Sequence, residues 1–157
     1  MQRRQFELNE PYREIMPEDA QKEFRSGLLD ALGISLKSLV DENHDDKHVW
    51  VYDADDKILG VLSFIDLGTV IYADIVSDNK LFPELCGETK PGRSLYVLLE
   101  DLSASIGIST IRMDSISDKV DYWAKQHGFK MTGMPHQGKL GQVYPMEKKL
   151  KSRNFSF

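Results

Sequence analysis

One cysteine, Cys86, in 157 residues excludes an intrachain disulfide and any metal centre built from cysteines, and leaves packing as the expected role of that thiol. Long apolar runs are missing too. No window approaches ~18 uninterrupted apolar residues, and the two arginines of MQRRQFELNEPYREIMPED precede no apolar core. Neither a membrane span nor a signal peptide is expected, and the chain reads as soluble and cytoplasmic. Basic charge is also short. Twenty Lys and Arg against 25 Asp and Glu give a formal net charge of −5, without the dense basic face that phosphate neutralisation requires. Nucleic acid is therefore excluded as a general partner, and a neutral or cationic partner is expected. His44, His48, His127 and His136 show no metal-ligand spacing, so no metal is assigned, and neither GxxxxGK[ST] nor GxGxxG occurs. No internal repeat and no low-complexity segment breaks the chain. The acidic run DENHDDKH, 41 to 48, reads as a solvated loop.

What is present suffices for one globular domain, since 41% of the residues are apolar and 10% aromatic. RQFELN, 4 to 9, alternates as a short strand does. Pro17, Glu18 and Asp19 then open a helix whose stripe runs Ala20, Phe24, Leu28, Leu32 and ends at Gly33, with ISLKSLV, 34 to 40, extending as a second helical piece. From residue 48 the period becomes two. HVWVYD, ILGVLSFID (58 to 66) and TVIYADIV (69 to 76) predict three antiparallel strands, the first turn supplied by DADDK. The stretch 77 to 94 carries two prolines and two glycines and predicts irregular chain. Leu95, Leu98, Leu99, Leu102 and Ile106 follow at i, i+3, i+4, i+7 and i+11, a helix closed by Gly107. ISTIRMDSI, 108 to 116, is a further strand, which makes this half a strand–helix–strand crossover joined to the meander. Asp118 is placed to cap the next helix. Val120, Trp123, Ala124 and His127 share its inner face, and Gly128 supplies a left-handed stop. FKMTGM and GQVYPMEKKL predict the last strands, with a basic tail behind them.

Three places could carry chemistry. The loop ETKPGRS, 88 to 94, opens the 95 to 106 helix, where unpaired backbone N–H groups, a glycine and the charges of Lys90 and Arg93 would suit a diphosphate; the plainer reading is a solvated loop shaped by Gly and Pro. Asp74 interrupts an apolar strand on the face of Tyr72. It must meet water, a partner or a cleft, and a general base or a solvated surface residue are both open to it. Tyr122 lies one step off the core-facing stripe of its helix, either a proton donor or an ordinary exposed tyrosine.

The order of elements over residues 48 to 150 resembles the GNAT superfamily of N-acetyltransferases. The resemblance is carried by the meander HVWVYDADDKILGVLSFIDLGTVIYADIV, the basic glycine loop before SLYVLLEDL, the joint VDYWAKQHGFK and the ending YPMEKKL. It implies an α/β fold, a mixed, mostly antiparallel central sheet flanked by helices and splayed around acetyl-CoA. Residues 1 to 47 would then be the variable part, 48 to 150 the cofactor-binding and C-terminal part, and 151 to 157 a tail. The resemblance further implies that Lys90, Gly92, Arg93, Ser94 and Leu95 hold the pyrophosphate and that a backbone N–H near Val76 polarises the thioester carbonyl. Asp74 would take a proton from an ammonium substrate, small molecule or protein, and Tyr122 would protonate the leaving thiolate. Two departures stand out: KPGRSL has one glycine where the family's loop usually has Arg/Gln-x-x-Gly-x-Gly/Ala, and Ala124 stands where a tyrosine acid is common. A non-catalytic module that binds acyl-CoA or a protein partner is the alternative these departures support, and a homodimer is left open.

Overall fold

The computed structural model describes residues 4–16, 46–138 and 141–151. The helical segments expected over 17 to 33 and 34 to 40 lie outside them, as do residues 41 to 45 of the acidic run and 152 to 157 of the tail. Among the described residues one sheet of eight strands is continuous: β1 (Tyr12–Ile15), β2 (Lys47–Ala54), β3 (Lys57–Asp66), β4 (Val70–Asp78), β5 (Thr110–Ile116), β6 (Lys130–Met131), β7 (His136–Gly138) and β8 (Gly141–Lys149). Their order in space is β1-β2-β3-β4-β5-β8-β6, with β7 paired to β8. Helix α1 (Pro83–Thr89) and helix α2 (Pro91–Ser105) connect β4 to β5, and α3 (Val120–His127) follows β5 after one 3-10 turn.

The meander forms where alternation predicts it. β2 and β3 are joined by Asp55 and Asp56, both at positive φ (52° and 61°), the two-residue turn whose twist matches paired strands. β3 and β4 pair antiparallel until the register jumps: Phe64 faces Ala73 while Ser63 faces Ile75, which leaves Asp74 as the extra residue of a bulge. A bulge bends its strand and re-aims the residue it carries. β4 then pairs parallel with β5, but only from Val70 to Ala73 against Thr110 to Met113. Beyond that point the two strands part.

The core lies between one sheet face and helices α2 and α3. Trp50, Leu62, Phe64 and Ile71 from the strands meet Leu95, Tyr96 and Leu99 of α2 and Trp123 of α3. Leu95 and Leu99 stand four residues apart on one helix face and are fully buried, each worth about 1.5–3 kcal/mol relative to exposure. Helix α3 stops because Gly128 adopts φ 76°, ψ 21°. Its N–H and that of Phe129 bond back to the carbonyls of Ala124 and Trp123, and Phe129 drops into the core at 2% exposure.

Several expectations are corrected. Residues 4 to 9 pair with no strand; Phe6 instead packs edge-on against His48, Trp50 and Phe64, and Arg4 anchors the segment on Asp66 at 3.0 Å. The first strand is YREI, which pairs with β2. The stretch expected to be irregular contains α1, begun by Pro83 and tied down by the Cys86 thiol, which donates to the Leu59 carbonyl at 3.3 Å. Helix α2 starts at Pro91 rather than Leu95. Asp118 does not cap α3, whose cap position is Lys119, and Ala124 is exposed rather than core-facing. The strand read from FKMTGM is only Lys130–Met131, and the hairpin strand His136–Gly138 has no apolar alternation to announce it.

Candidate functional site

The parting of β4 and β5 opens a gap in the sheet, and the start of α2 stands beside it. Lys90 caps the helix in the left-handed region (φ 49°, ψ 60°) and Pro91, at the first helical position, has no N–H to offer. The next donor is spoken for: Gly92 N–H donates to Asp78 Oδ1 at 2.8 Å. Two glycines allow that closeness. A Cβ on Gly92 would lie 2.9 Å from the same carboxylate oxygen and 3.6 Å from Val76 Cγ1; one on Gly60 would lie 2.9 Å from Pro91 Cβ and 3.3 Å from Gly92 N. Lys90 and Arg93 are exposed, Ser94 is half-buried with its hydroxyl donating to the Thr89 carbonyl, and the Leu95 side chain belongs to the core. An open groove of ≈ 420 Å³ runs along this helix face between Tyr12, Lys90, Arg93, Ser94 and Leu98. Gly92 thus provides a cradle that any side chain would fill, and a carboxylate oxygen already sits on its N–H as an anion would. Lys90 and Arg93 beside it carry the charge a diphosphate would need, while Asp78 holds the Gly92 N–H.

Helix α3 brings Tyr122 to the same end of the sheet. The residue is half-buried rather than exposed, packed edge-on against Trp123 at 5.1 Å, with its hydroxyl 3.0 Å from His127 Nε2. Burial pushes the Tyr122 phenol above its ordinary range, with the Arg93 charge pulling it down and the Asp78 charge adding to the rise, so it lies within electrostatic reach of the α2 start. Burial likewise holds His127 below the usual imidazole range; Glu100 opposes this, and Lys148 and Arg93 reinforce it. Tyr96, against the same imidazole, is buried with no hydrogen-bond partner for its hydroxyl among the described residues, and its ionisation is driven far upward by that burial and by Glu100.

Asp74 and Tyr72 lie on the other side of β4. Tyr72 alternates with the core residues Ile71 and Ala73, and its hydroxyl donates to Asp114 Oδ2 at 2.7 Å, across the point where the strands part. His136 Nε2 stands 3.9 Å from the other oxygen of Asp114. Asp74 is 27% exposed and its carboxylate is 3.6 Å from the ammonium of Lys47, which is fully buried. The sequence singles out Asp74 and Tyr122 and places His127 on the inner helix face, whereas the structure adds Asp78, Asp114 and Gly60 to their surroundings. Asp114 had a readable signal in RMDSI, where Arg112 and Asp114 alternate with Ile111 and Met113. Asp78 and Gly60 had none, because their roles depend on a helix start far along the chain.

No family model matches the sequence, and no curated protein matches it. Solved structures do. The ribosomal-protein-S18-alanine N-acetyltransferase from Escherichia coli superposes with a TM-score of 0.69 at 11% identity, covering 93% of this chain and 98% of that one. An aminoglycoside 6'-acetyltransferase type Ii gives 0.64 at 18% identity over 90% and 98%. The PaiA N-acetyltransferase from Thermoplasma acidophilum, solved in complex with coenzyme A, gives 0.59 at 16% identity over 88% and 97%.

Proposed function

We propose that this chain, which has the fold of the GNAT N-acetyltransferases, passes an acetyl group from acetyl-CoA directly to an amine of a small molecule or protein. The observation that carries the reading is the gap between β4 and β5, opened just past Ala73 beside a bulged aspartate and the start of α2. Past Ala73 the β4 backbone has no ladder with β5, and the N–H near Val76 can polarise a carbonyl lying in the gap. Bound there, acetyl-CoA supplies an activated thioester. Lys90 and Arg93 offset the charge of a diphosphate at the α2 start, with Gly92 letting it approach the backbone. Asp74 and Asp114 set carboxylates on either side of the parting. Both attract an ammonium, and Asp74 takes its proton directly or through water. Tyr122 returns a proton to the departing sulfur. Among the described residues no helix is long and apolar enough to cross a membrane. A single cysteine, kept buried, suits a reducing cytoplasm.

A second reading has its own observation. With Asp78 on the Gly92 N–H and no N–H at Pro91, the α2 start is occupied from within, as it could be in a module that has given up catalysis. Calorimetry with acetyl-CoA, combined with thiol release over a panel of amines, separates the two. Binding with amine-dependent release supports the enzyme; binding without release for any amine supports the module; no binding refutes both coenzyme readings.

A further inference from the structure

Leu95 and Leu99 turn one face of α2 into the core, and an adjoining face, carrying Lys90, Ser94, Val97, Leu98 and Asp101, lines the open groove of ≈ 420 Å³. From Lys90 to Asp101 the helix runs about 16 Å, at ~1.5 Å per residue. That volume falls within the ~300–1,000 Å³ of small-molecule sites. Every lining residue but one belongs to the stretch from Thr89 to Asp101; the other is Tyr12, at the start of β1, which supplies the wall that the helix cannot. Its ring is half-buried and braced edge-on against Tyr52, 5.5 Å between centroids at 90°, which makes it a fixed aromatic surface. Burial pushes the Tyr12 phenol above its ordinary range, with the Ser94 side chain pulling it back, so the ring carries no charge at neutral pH.

The groove is polarised along its length. Lys90 and Arg93 stand where the helix begins, Val97 and Leu98 follow, and Asp101 closes the far end. A ligand lying in it must bring anionic groups to the helix start and present a neutral hydrogen-bond donor to the carboxylate, which repels a phosphate and accepts from an N–H. A purine nucleotide has that polarity, with phosphates at one end and, at the other, a flat ring with apolar faces and an exocyclic amine. An alkyl chain would suit Val97 and Leu98 but would cover Asp101 without bonding it.

We propose that this groove is a nucleotide subsite, with phosphates at Lys90 and Arg93, the purine laid between Tyr12 and the surface of Val97 and Leu98, and its amine toward Asp101. The identity of the nucleotide rests on the acetyl-transfer reading: it is the adenosine 3',5'-bisphosphate end of acetyl-CoA. Gly92 adjoins Val76 and Asp78 of β4, so the thioester arm of the same molecule continues from the helix start to the gap between β4 and β5. Tyr12 is then a coenzyme-binding residue, and a donor that carries the thioester without a nucleotide gives up this grip.

Adenosine 3',5'-bisphosphate is the probe, because calorimetry reads its affinity without any turnover. Tyr12→Ala should weaken its binding about tenfold, as when a base loses an aromatic partner, whereas Tyr12→Phe keeps the ring and should stay within about twofold of wild type. Val97→Glu, at a side chain 41% exposed, sets a carboxylate in the middle of the groove and should also weaken binding about tenfold. Ile106→Glu makes the same charge change at the far end of α2, outside the groove, and should leave the affinity within about twofold. Acetyl-CoA should follow the same order across the four variants. Unchanged affinity in either Tyr12→Ala or Val97→Glu, where folded, overturns the subsite, and so does an equal loss in Ile106→Glu; should Tyr12→Ala not fold, Val97→Glu decides. Acetyl-CoA that binds and turns over while the groove variants do nothing leaves the acetyl-transfer reading intact and removes the subsite. Wild-type protein that binds the bisphosphate in this pattern but not acetyl-CoA keeps the subsite and sinks that reading, and binding of neither overturns both.

Discussion

Adding one methyl group at Gly60 tests how the start of α2 is seated. Gly60 lies in β3 opposite Tyr52 and Asp78, and its added Cβ would come 2.9 Å from Pro91 Cβ, 3.2 Å from the Ser77 carbonyl oxygen and 3.3 Å from Gly92 N. Two of those neighbours are backbone and the third is a proline ring atom, so none can rotate aside. The helix start must lift away from the sheet. Forcing an extra carbon into a packed site costs ~1–3 kcal/mol, which for a chain of this size lowers the melting temperature by roughly 2–12 °C. Gly87 is the control. It lies in α1, where a Cβ would meet nothing within 4 Å, so Gly87→Ala removes only the conformational freedom of glycine. That gain of ~0.5–1 kcal/mol raises the melting temperature by roughly 1–4 °C. Calorimetric melts of Gly60→Ala, Gly87→Ala and wild type should therefore bracket the wild-type value from both sides. Gly60→Ala melting at or above wild type would refute the close seating of α2 on β3.

Trp123→Ala should cost ~3–5 kcal/mol in urea titrations, since the ring is 9% exposed and packs against Tyr96 at 5.0 Å and Phe129 at 5.6 Å; a loss under 1 kcal/mol would mean the α3 interface is not a core. Because burial lowers the affinity of His127 for a proton, the unfolded chain binds one that the folded chain does not as pH drops below the ordinary value of 6.5, so stability falls there. Melts between about pH 7.5 and about pH 5 should show a steeper decline for wild type than for His127→Gln, and equal slopes would refute the burial argument. Asp78→Ala removes the carboxylate from the Gly92 N–H. Acetyl-CoA should then bind roughly two- to fivefold more tightly, the equivalent of the ~0.3–1 kcal/mol an anion gains at a helix N-terminus, and weaker binding would show that Asp78 supports the ligand rather than competing with it.

The elements legible in the sequence are those whose cause is local. Alternation in HVWVYD and TVIYADIV gave the meander, four-residue spacing from Leu95 gave α2, and Gly128 marked its turn because only left-handed backbone fits there. Helix α1 escaped notice since PELCGET has no apolar period; its support comes from the Cys86 thiol and from Asn79, which donates to the Ile58 carbonyl at 2.7 Å. RQFELN misled in the opposite way. Its alternation is real, with Phe6 turned to the core, but no neighbouring strand offers a ladder. At the site the same division holds. Asp74 and Tyr122 drew attention as local oddities, whereas Asp78 matters because a helix start fourteen residues on comes back to it.

A sheet that opens in its middle carries a hazard that a closed one does not. Past Ala73 β4 has no ladder with β5, and a strand edge that lacks a neighbouring strand invites a foreign strand to add to it and seed aggregation. Natural edge strands are guarded by bulges and by charged side chains. Here the bulge falls at Asp74, the first residue of the open rim, and Asp78 and Asp114 place further carboxylates along its length and across from it. The acidic residues of the gap therefore disfavour the addition of a foreign strand there, a duty they would owe even if no amine ever reached them.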